Sequence, residues 1–326
     1  NGLFGSDAEI VDLDGSLWAV TVDDYSAEDH LAADDPRVLG WNLATATLSD
    51  LLAVGAVPRF MLNSFVGERG MEAAWLSAFS AGVQEALTEC GAAMLGGDVG
   101  IGAQWRFTGV ALGSFRAGQG PLGRRTSCTS GQVVVSGALG DGNLAAVGAP
   151  APRFELRLRE SAALASAAQA SETGRAKSAG GAPVACIDTS DGLVAALEAL
   201  CLCDPGLRIE VDLAAVSCAP GVEAAAQAQG VPREAFLMGS AGEYELAALV
   251  PENARAAVGR AGMRPIGAFT RGGDQSPGLY FRRGATRVAH PGLPDPRESA
   301  SLDEYTGTLI ALTRRLFGTS GAGHGV

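Results

Sequence analysis

Three kinds of signal are missing from this 326-residue chain, and each absence closes off a class of function. Positive charge is short. The 24 Lys plus Arg against 36 Asp plus Glu leave a net charge of −12, which argues against nucleic acid or an anionic membrane surface as a partner. Paired metal-binding cysteines are absent too. The six cysteines form no CxxC pair, so neither a zinc site nor a disulfide framework is expected, and Cys90 and Cys186, in apolar stretches, read as small core residues. There is no GxxxxGK[ST] loop and no GxGxxG behind a strand pattern, so a lysine-bearing phosphate loop is excluded. No apolar run reaches about 18 residues and no signal-peptide pattern is present, so a soluble, cytoplasmic protein is expected. An N-terminal piece is expected to be missing, since the first residue is Asn1.

What is present is a two-part grammar. The length exceeds the usual single core, so two domains are expected. LWAVTVDD (17–24) and WRFTGVALGSF (105–115) are rich in Val, Trp, Phe and Thr and read as strands. Residues 38–56 and 73–91 carry apolar residues at three- and four-residue spacing and end in Gly, which reads as helix. RRTSCTSGQ (124–132) is a polar connector before a new strand, VVVSGAL (133–139). The expected domains are therefore 1–122 and 123–326. The second half repeats the pattern, with strands near 183–188, 207–213, 244–250 and 278–283, Ala-rich helices between them, a low-complexity helical stretch at 160–180 and a disordered tail. The fold class is α+β, mixed α/β.

The acids carry the chemistry. Asp7 precedes an apolar run, Asp23 and Asp24 end a strand, Asp50 sits inside an apolar helix, and Asp98 follows Gly96 and Gly97 in a Gly-rich turn. CIDTSDGL (186–193) adds Asp188 and Asp191 around two hydroxyls. Two readings of that motif stand side by side. Ser190 or Asp191 can be the N-cap of the helix that follows, or the two carboxylates can hold a divalent cation. An unpaired carboxylate at Asp50 would be costly, since LSDLLAVG leaves it almost no polar face. An acidic enzyme acting on phosphates would need metal ions, and several Asp suit more than one magnesium shared with a triphosphate.

GSDA (5–8), TVDDYSAEDH (21–30), TLSDLLAVGA (47–56), GGDV (96–99), RTSCTSGQ (125–132), DTSDGL (188–193) and AGEYEL (241–246) occur in an order that resembles thiamine-monophosphate kinases. These lie within the superfamily of aminoimidazole ribonucleotide synthetase. The resemblance implies an N-terminal, strand-rich domain that dimerises by pairing strands into a barrel, and a C-terminal α/β sandwich. It implies ATP and Mg2+ as cofactors, a small phosphate substrate such as thiamine monophosphate, and a homodimer. By position, Asp7, Thr21, Asp23, Asp50, Asp98, Asp188 and Asp191 would serve the metal ions, with Asp50, Asp98 and Asp191 central to catalysis. Gly97, Asp98, Arg125 and Ser190 would contact the nucleotide. His30 and Glu243 would face the acceptor. The implied chemistry is direct in-line transfer of a γ-phosphoryl group to an acceptor that is already an oxyanion, which needs no strong general base.

The sequence departs from the family pattern at Ser6, Asn42, Thr47, Val99 and around Glu243, where GEDYEL is shortened to GEYEL or has its Asp replaced. The family's C-terminal aromatic motif is not recognisable, so the departures weigh more on the acceptor than on ATP. Two alternatives follow: a related ATP-dependent enzyme with another acceptor, and a non-catalytic nucleotide-binding homologue.

Overall fold

The computed structural model describes residues 5–29, 33, 35–172, 182–272 and 276–318. The first half runs β1 (Glu9–Leu13), β2 (Ser16–Ser26), α1 (Pro36–Ala53), β3 (Val57–Glu68), α2 (Ala73–Cys90), β4 (Ala93–Gly102) and β5 (Arg106–Ser114). Its five strands form one sheet in the order β1-β2-β5-β3-β4, with β3 and β4 parallel and the other neighbours antiparallel. Among the described residues of this chain the sheet is open, with β1 and β4 as edges, and not a closed barrel.

The second half contains β6 (Ser130–Val135), α3 (Asp141–Ala146), α4 (Leu158–Glu172), β7 (Ala185–Asp188), α5 (Leu193–Cys203), β8 (Leu207–Val211), α6 (Val222–Gln229), α7 (Glu234–Met238), β9 (Leu246–Val250), α8 (Arg255–Arg260), β10 (Arg264–Arg271), β11 (Gly278–Arg283), β12 (Thr286–Ala289) and α9 (Leu302–Phe317). Its seven-stranded sheet has the order β12-β11-β8-β10-β6-β9-β7. The protein is thus a mixed α/β fold of two sheets. No helix among the described residues is long and apolar enough to cross a membrane.

Most of the expected elements are present, with two corrections. Gly96-Gly97-Asp98 is not a turn: it lies inside the edge strand β4, opposite Leu62, Asn63 and Ser64 of β3. Glycine is a weak strand former, so the pairing along β3 decides what local composition does not. Nor is α5 capped by Ser190 or Asp191. Its N-cap is Gly192, which offers no side-chain cap. The predicted helix at 160–180 is seen as α4 up to Glu172, and residues 173–181 and the tail from 319 lie outside the described residues.

Helix α1 explains how the halves combine. Asp35 caps it by accepting from the Arg37 N–H at 2.8 Å, and Pro36 fits its first turn, where no N–H is needed. From Leu39 to Ala53 nearly every residue is buried, polar ones included, as for a helix covered on all sides. One side lies on β2, β3 and β5, and another meets β7 and α4. A third meets α2 with no side chain between the backbones: a Cβ on Gly40 would stand 2.0 Å from the Phe79 carbonyl oxygen.

The first hydrophobic core accordingly does not stop at the expected boundary. It joins Leu43, Leu51, Phe79 and Phe107 to Phe154, Leu164, Cys186 and Tyr244 of the second half. The connector is tied down as well: the Leu122 N–H donates to the Val54 carbonyl, that of Arg124 to Gly5, and Gly123 bridges to Ala185 of β7. A second core on the other face of the large sheet holds α5, α7 and α9.

Candidate active site

Three carboxylates meet where the halves touch. Asp7 comes from the segment before β1, Asp50 from the last turn of α1 and Asp188 from the end of β7, and oxygens from all three lie within 4.8 Å of one another. Asp188 is only 2 % exposed, so water cannot screen the repulsion. Asp50 adds a second penalty, because the carbonyl-rich C-terminal end of a helix repels a carboxylate. Asp23, on the inward face of β2 with Thr21, is close enough for its charge to act on Asp50 and to feel Asp188.

The protein partly offsets this concentration of charge. Arg124 Nη2 donates to Asp7 Oδ1 at 2.8 Å. Thr21 Oγ1 donates to Asp50. Asp188 accepts from the hydroxyls of Ser49 and Ser190. The compensation is incomplete. Burial, reinforced by the charge of Asp188, pushes Asp7 from 3.8 up to about 7 against the pull of Arg124, and Asp23 likewise to about 7 against a hydrogen bond from Tyr25. Asp50 is held well above the usual carboxylate range by burial and by Asp188, Asp23 and Asp7. Burial also raises Asp188, opposed by its serine partners.

These residues fit a hard divalent cation. Asp7 Oδ2 is buried and has no hydrogen-bond partner, which leaves it free to act as a ligand. All the donors are oxygens, the set that suits magnesium. An added cation would offset the repulsion that, beside burial, raises Asp7, Asp23 and Asp50.

The other predicted residues fall in different places. The sheet register aligns Asp23, Gly109, Asn63 and Gly97 in one row and Asp24, Thr108, Ser64 and Asp98 in the next. Strand alternation therefore sets Asp98, which is exposed, on the face away from Asp23 and Thr21, while Gly97 shares their face. Ser190 and Asp191 are exposed on the loop after Asp188. Arg125 is exposed and donates to the Cys203 carbonyl at 2.6 Å; its neighbour Arg124 is the arginine that reaches the acids. Glu243 is buried, not open to a ligand, and accepts from the N–H groups of Gly140 at 2.9 Å and Gly142 at 3.2 Å. Burial nevertheless raises it to about 8. His30 lies outside the described residues.

Sequence reasoning passed over Arg124 and Ser49. Ser49 had a signal in its position beside Asp50, and Arg124 in the pair RR at 124–125. Asn42, marked as a departure, is fully buried; its amide donates to the Pro152 carbonyl at 2.7 Å and accepts from the Phe154 N–H at 3.1 Å. It fastens the segment that crosses α1.

Comparison with known proteins gives a consistent picture. Residues 5–114 match the model of AIR synthase related protein, N-terminal domain. A thiamine-monophosphate kinase of Methanopyrus kandleri is 30% identical over 239 residues, covering 72% of this chain and 73% of that protein. A carbamoyl dehydratase HypE of Rhizobium leguminosarum bv. viciae is 26% identical over 275 residues, covering 81% and 75%. Among solved structures, AaThiL complexed with AMPPCP and TMP superposes with a TM-score of 0.71 at 19% identity, over 89% of this chain and 92% of that one.

Proposed function

We propose, on the premise that this chain belongs to the AIR synthase-related family as a thiamine-monophosphate kinase-like member, that it is an ATP- and magnesium-dependent kinase. The observation that carries this reading is the buried acid cluster built from both halves, with an orphaned oxygen on Asp7. Asp7, Asp50 and Asp188 would hold magnesium, with Asp23 and Thr21 beside them, and Asp191 is proposed as a further ligand; Asp98, on the opposite face of the sheet, is not part of this set. Bound magnesium would neutralise the charge of the nucleotide's phosphates.

The chain's own groups then position the reactants. Arg124 keeps Asp7 oriented, and Ser49 holds Asp188 from the first half. Ser190, exposed at the loop, can turn its hydroxyl from Asp188 to a phosphate oxygen. Gly97 and the exposed Arg125 guanidinium are proposed nucleotide contacts. The favoured acceptor is thiamine monophosphate, whose phosphate oxygen attacks in line. His30 is proposed to face it. Glu243 would act from beneath, through the Gly140–Asn143 turn that it holds.

The relative named as a carbamoyl dehydratase supports a second reading, the same phosphate chemistry on a carboxamide oxygen. Phosphorus NMR with magnesium-ATP separates the two. Thiamine diphosphate and ADP appearing with thiamine monophosphate, and lost in Asp50→Asn, is the expected result; ATP consumed only with a carboxamide acceptor would favour the second reading, and ATP left intact would remove both.

A homodimer is part of the proposal. α1 and α2 cover one face of the five-stranded sheet, and the other presents Trp18, Val22, Phe60 and Leu62, of which Val22 is 62% exposed. Two such faces brought together would complete a barrel. A cytoplasmic location accompanies this role.

A further inference from the structure

We propose that Arg157 is a positioning residue for the metal site: it acts through Glu245 and Thr189 on Asp188, and ties that ligand to the helix that carries Asp50. This rests on the magnesium reading above. β7, which ends at Asp188, is an edge strand, and among the described strands it pairs only with β9. The connector at Gly123 reaches Ala185 and Cys186, at the far end of β7. Asp188 itself stands opposite Leu246, and past this pair the two segments are joined through Thr189. The Thr189 N–H donates to the Glu245 carbonyl at 2.9 Å, its hydroxyl accepts from the Glu245 N–H at 3.0 Å, and its carbonyl accepts from the Glu243 N–H at 3.0 Å. Where Glu245 is held therefore decides where Asp188 stands.

Glu245 is held from two directions. Its carboxylate accepts from the Ser136 hydroxyl, which accepts in turn from the Leu246 N–H at 2.8 Å, and it pairs with Arg157 Nη2. The side chains of Arg157 and Glu245 are 12% and 7% exposed, so water and salt screen this pair little. Arg157 Nη1 also meets Glu155 at 2.6 Å and lies 3.9 Å from Glu160, but Glu155 is 73% exposed, where an ion pair is worth little. The backbone makes room for the buried pair at Gly137: a Cβ there would stand 2.2 Å from Glu245 Oε1 and 2.3 Å from Arg157 Nη2. Arg157 also ends the segment that crosses α1. Trp41 Nε1 donates to the Phe154 carbonyl at 2.6 Å, the Phe154 N–H donates to Asn42 at 3.1 Å, and the Arg153 guanidinium lies 3.7 Å from the centre of the Trp41 ring. Trp41 and Asn42 share their helix with Ser49 and Asp50. Asp188 is thus joined to α1 twice, directly by Ser49 and through Thr189, Glu245 and Arg157.

Contacts that orient a metal ligand from behind are commonly worth 10- to 100-fold in metal affinity. The test is binding of Mn2+ to the intact chain, followed by the electron paramagnetic resonance of the free ion, for wild type, Arg157→Met and the double variant Arg157→Met, Glu245→Gln, all below their melting transitions. Arg157→Met keeps most of the side-chain length but leaves Glu245 as an unpaired buried charge, so its melting temperature should fall. The double variant removes both charges of the pair and should melt closer to wild type. Its Mn2+ binding should nevertheless be about 10-fold weaker than that of wild type, as in Arg157→Met, because the tie is missing from both. If Arg157→Met does not fold, the double variant decides by itself. Wild-type affinity in the double variant, whether or not Arg157→Met binds weakly, would show that Arg157 serves stability alone, which overturns the positioning role and leaves the metal site standing. A wild-type protein that takes up no Mn2+ would sink the metal reading and this inference together.

Discussion

The Ser49 hydroxyl and the Asp188 carboxylate, 139 positions apart, share a buried hydrogen bond at the point where α1 meets β7. The same hydroxyl lies 2.8 Å from the Ala46 carbonyl, yet it has one proton to donate. The Asp188 carboxylate and the Ala46 carbonyl therefore compete for that proton, and the bond to Asp188 opposes the rise in its proton affinity that burial causes. A bound cation would keep Asp188 ionised and so favour the Ser49 bond to the carboxylate.

Replacing Ser49 by Ala should therefore disturb the loaded site more than the empty one. We expect about a 10-fold rise in the magnesium concentration needed for half-maximal turnover, with little change in maximal rate. A magnesium titration of ATP consumption at saturating acceptor measures it.

Asp50→Asn should separate stability from activity. It removes a charge placed badly for the helix end and close to three other acids, so the metal-free protein should melt at a higher temperature at pH 8 than wild type. Turnover should fall by at least about 100-fold, beyond the range expected for loss of a supporting contact. Calorimetry and the phosphorus NMR assay read the two effects in one variant.

The pH dependence of stability has a defined sign. Asp7 and Asp23 each rise from 3.8 to about 7 on folding, so between these values the folded chain holds protons that the unfolded chain releases. Their contribution to stability is fully present below pH 3.8 and is lost as the pH climbs to about 7. The metal-free protein should lose melting temperature from pH 5 to pH 8. Magnesium, which competes with those protons, should restore more at pH 8 than at pH 5. Melting curves with and without magnesium, at both pH values, test this.

Asn42→Ala should loosen the crossing segment. The change strands the Pro152 carbonyl and the Phe154 N–H in a buried setting, at a cost of about 2–3 kcal/mol. Denaturant unfolding should show the loss. Asn42→Lys should cost at least as much, because the position is fully buried.

Leu62→Glu, on the uncovered face of the small sheet, should convert a dimer to a monomer without unfolding it, since Leu62 is already 37% exposed within one chain. Sedimentation velocity distinguishes the two states. A wild-type monomer at micromolar concentration would refute the proposed dimer.

Much of this was legible from the chain alone, because it depends on local pattern. Periodic apolar residues marked α1 and α2, and runs rich in Val, Phe and Thr marked β2 and β5. Asp50 drew attention by being a carboxylate in an apolar helix, and Asp188 by the motif around it; both are in the cluster. β4 was not legible, since its glycines resemble a turn and only pairing with β3 makes them strand.

The sequence by itself determined which acids were available, the order of the elements and the absence of a lysine-bearing phosphate loop. Each of these follows from residue type and spacing. Only the tertiary structure decided which acids meet. Strand alternation and register sent Asp98 to the face opposite Asp23, while the burial of α1 between the two halves brought Asp50 to Asp7 and Asp188. Arg124, rather than Arg125, became the counter-charge because one side chain of that adjacent pair points inward and the other outward. Side-chain direction and contacts over more than a hundred positions are products of packing, and no local pattern carries them.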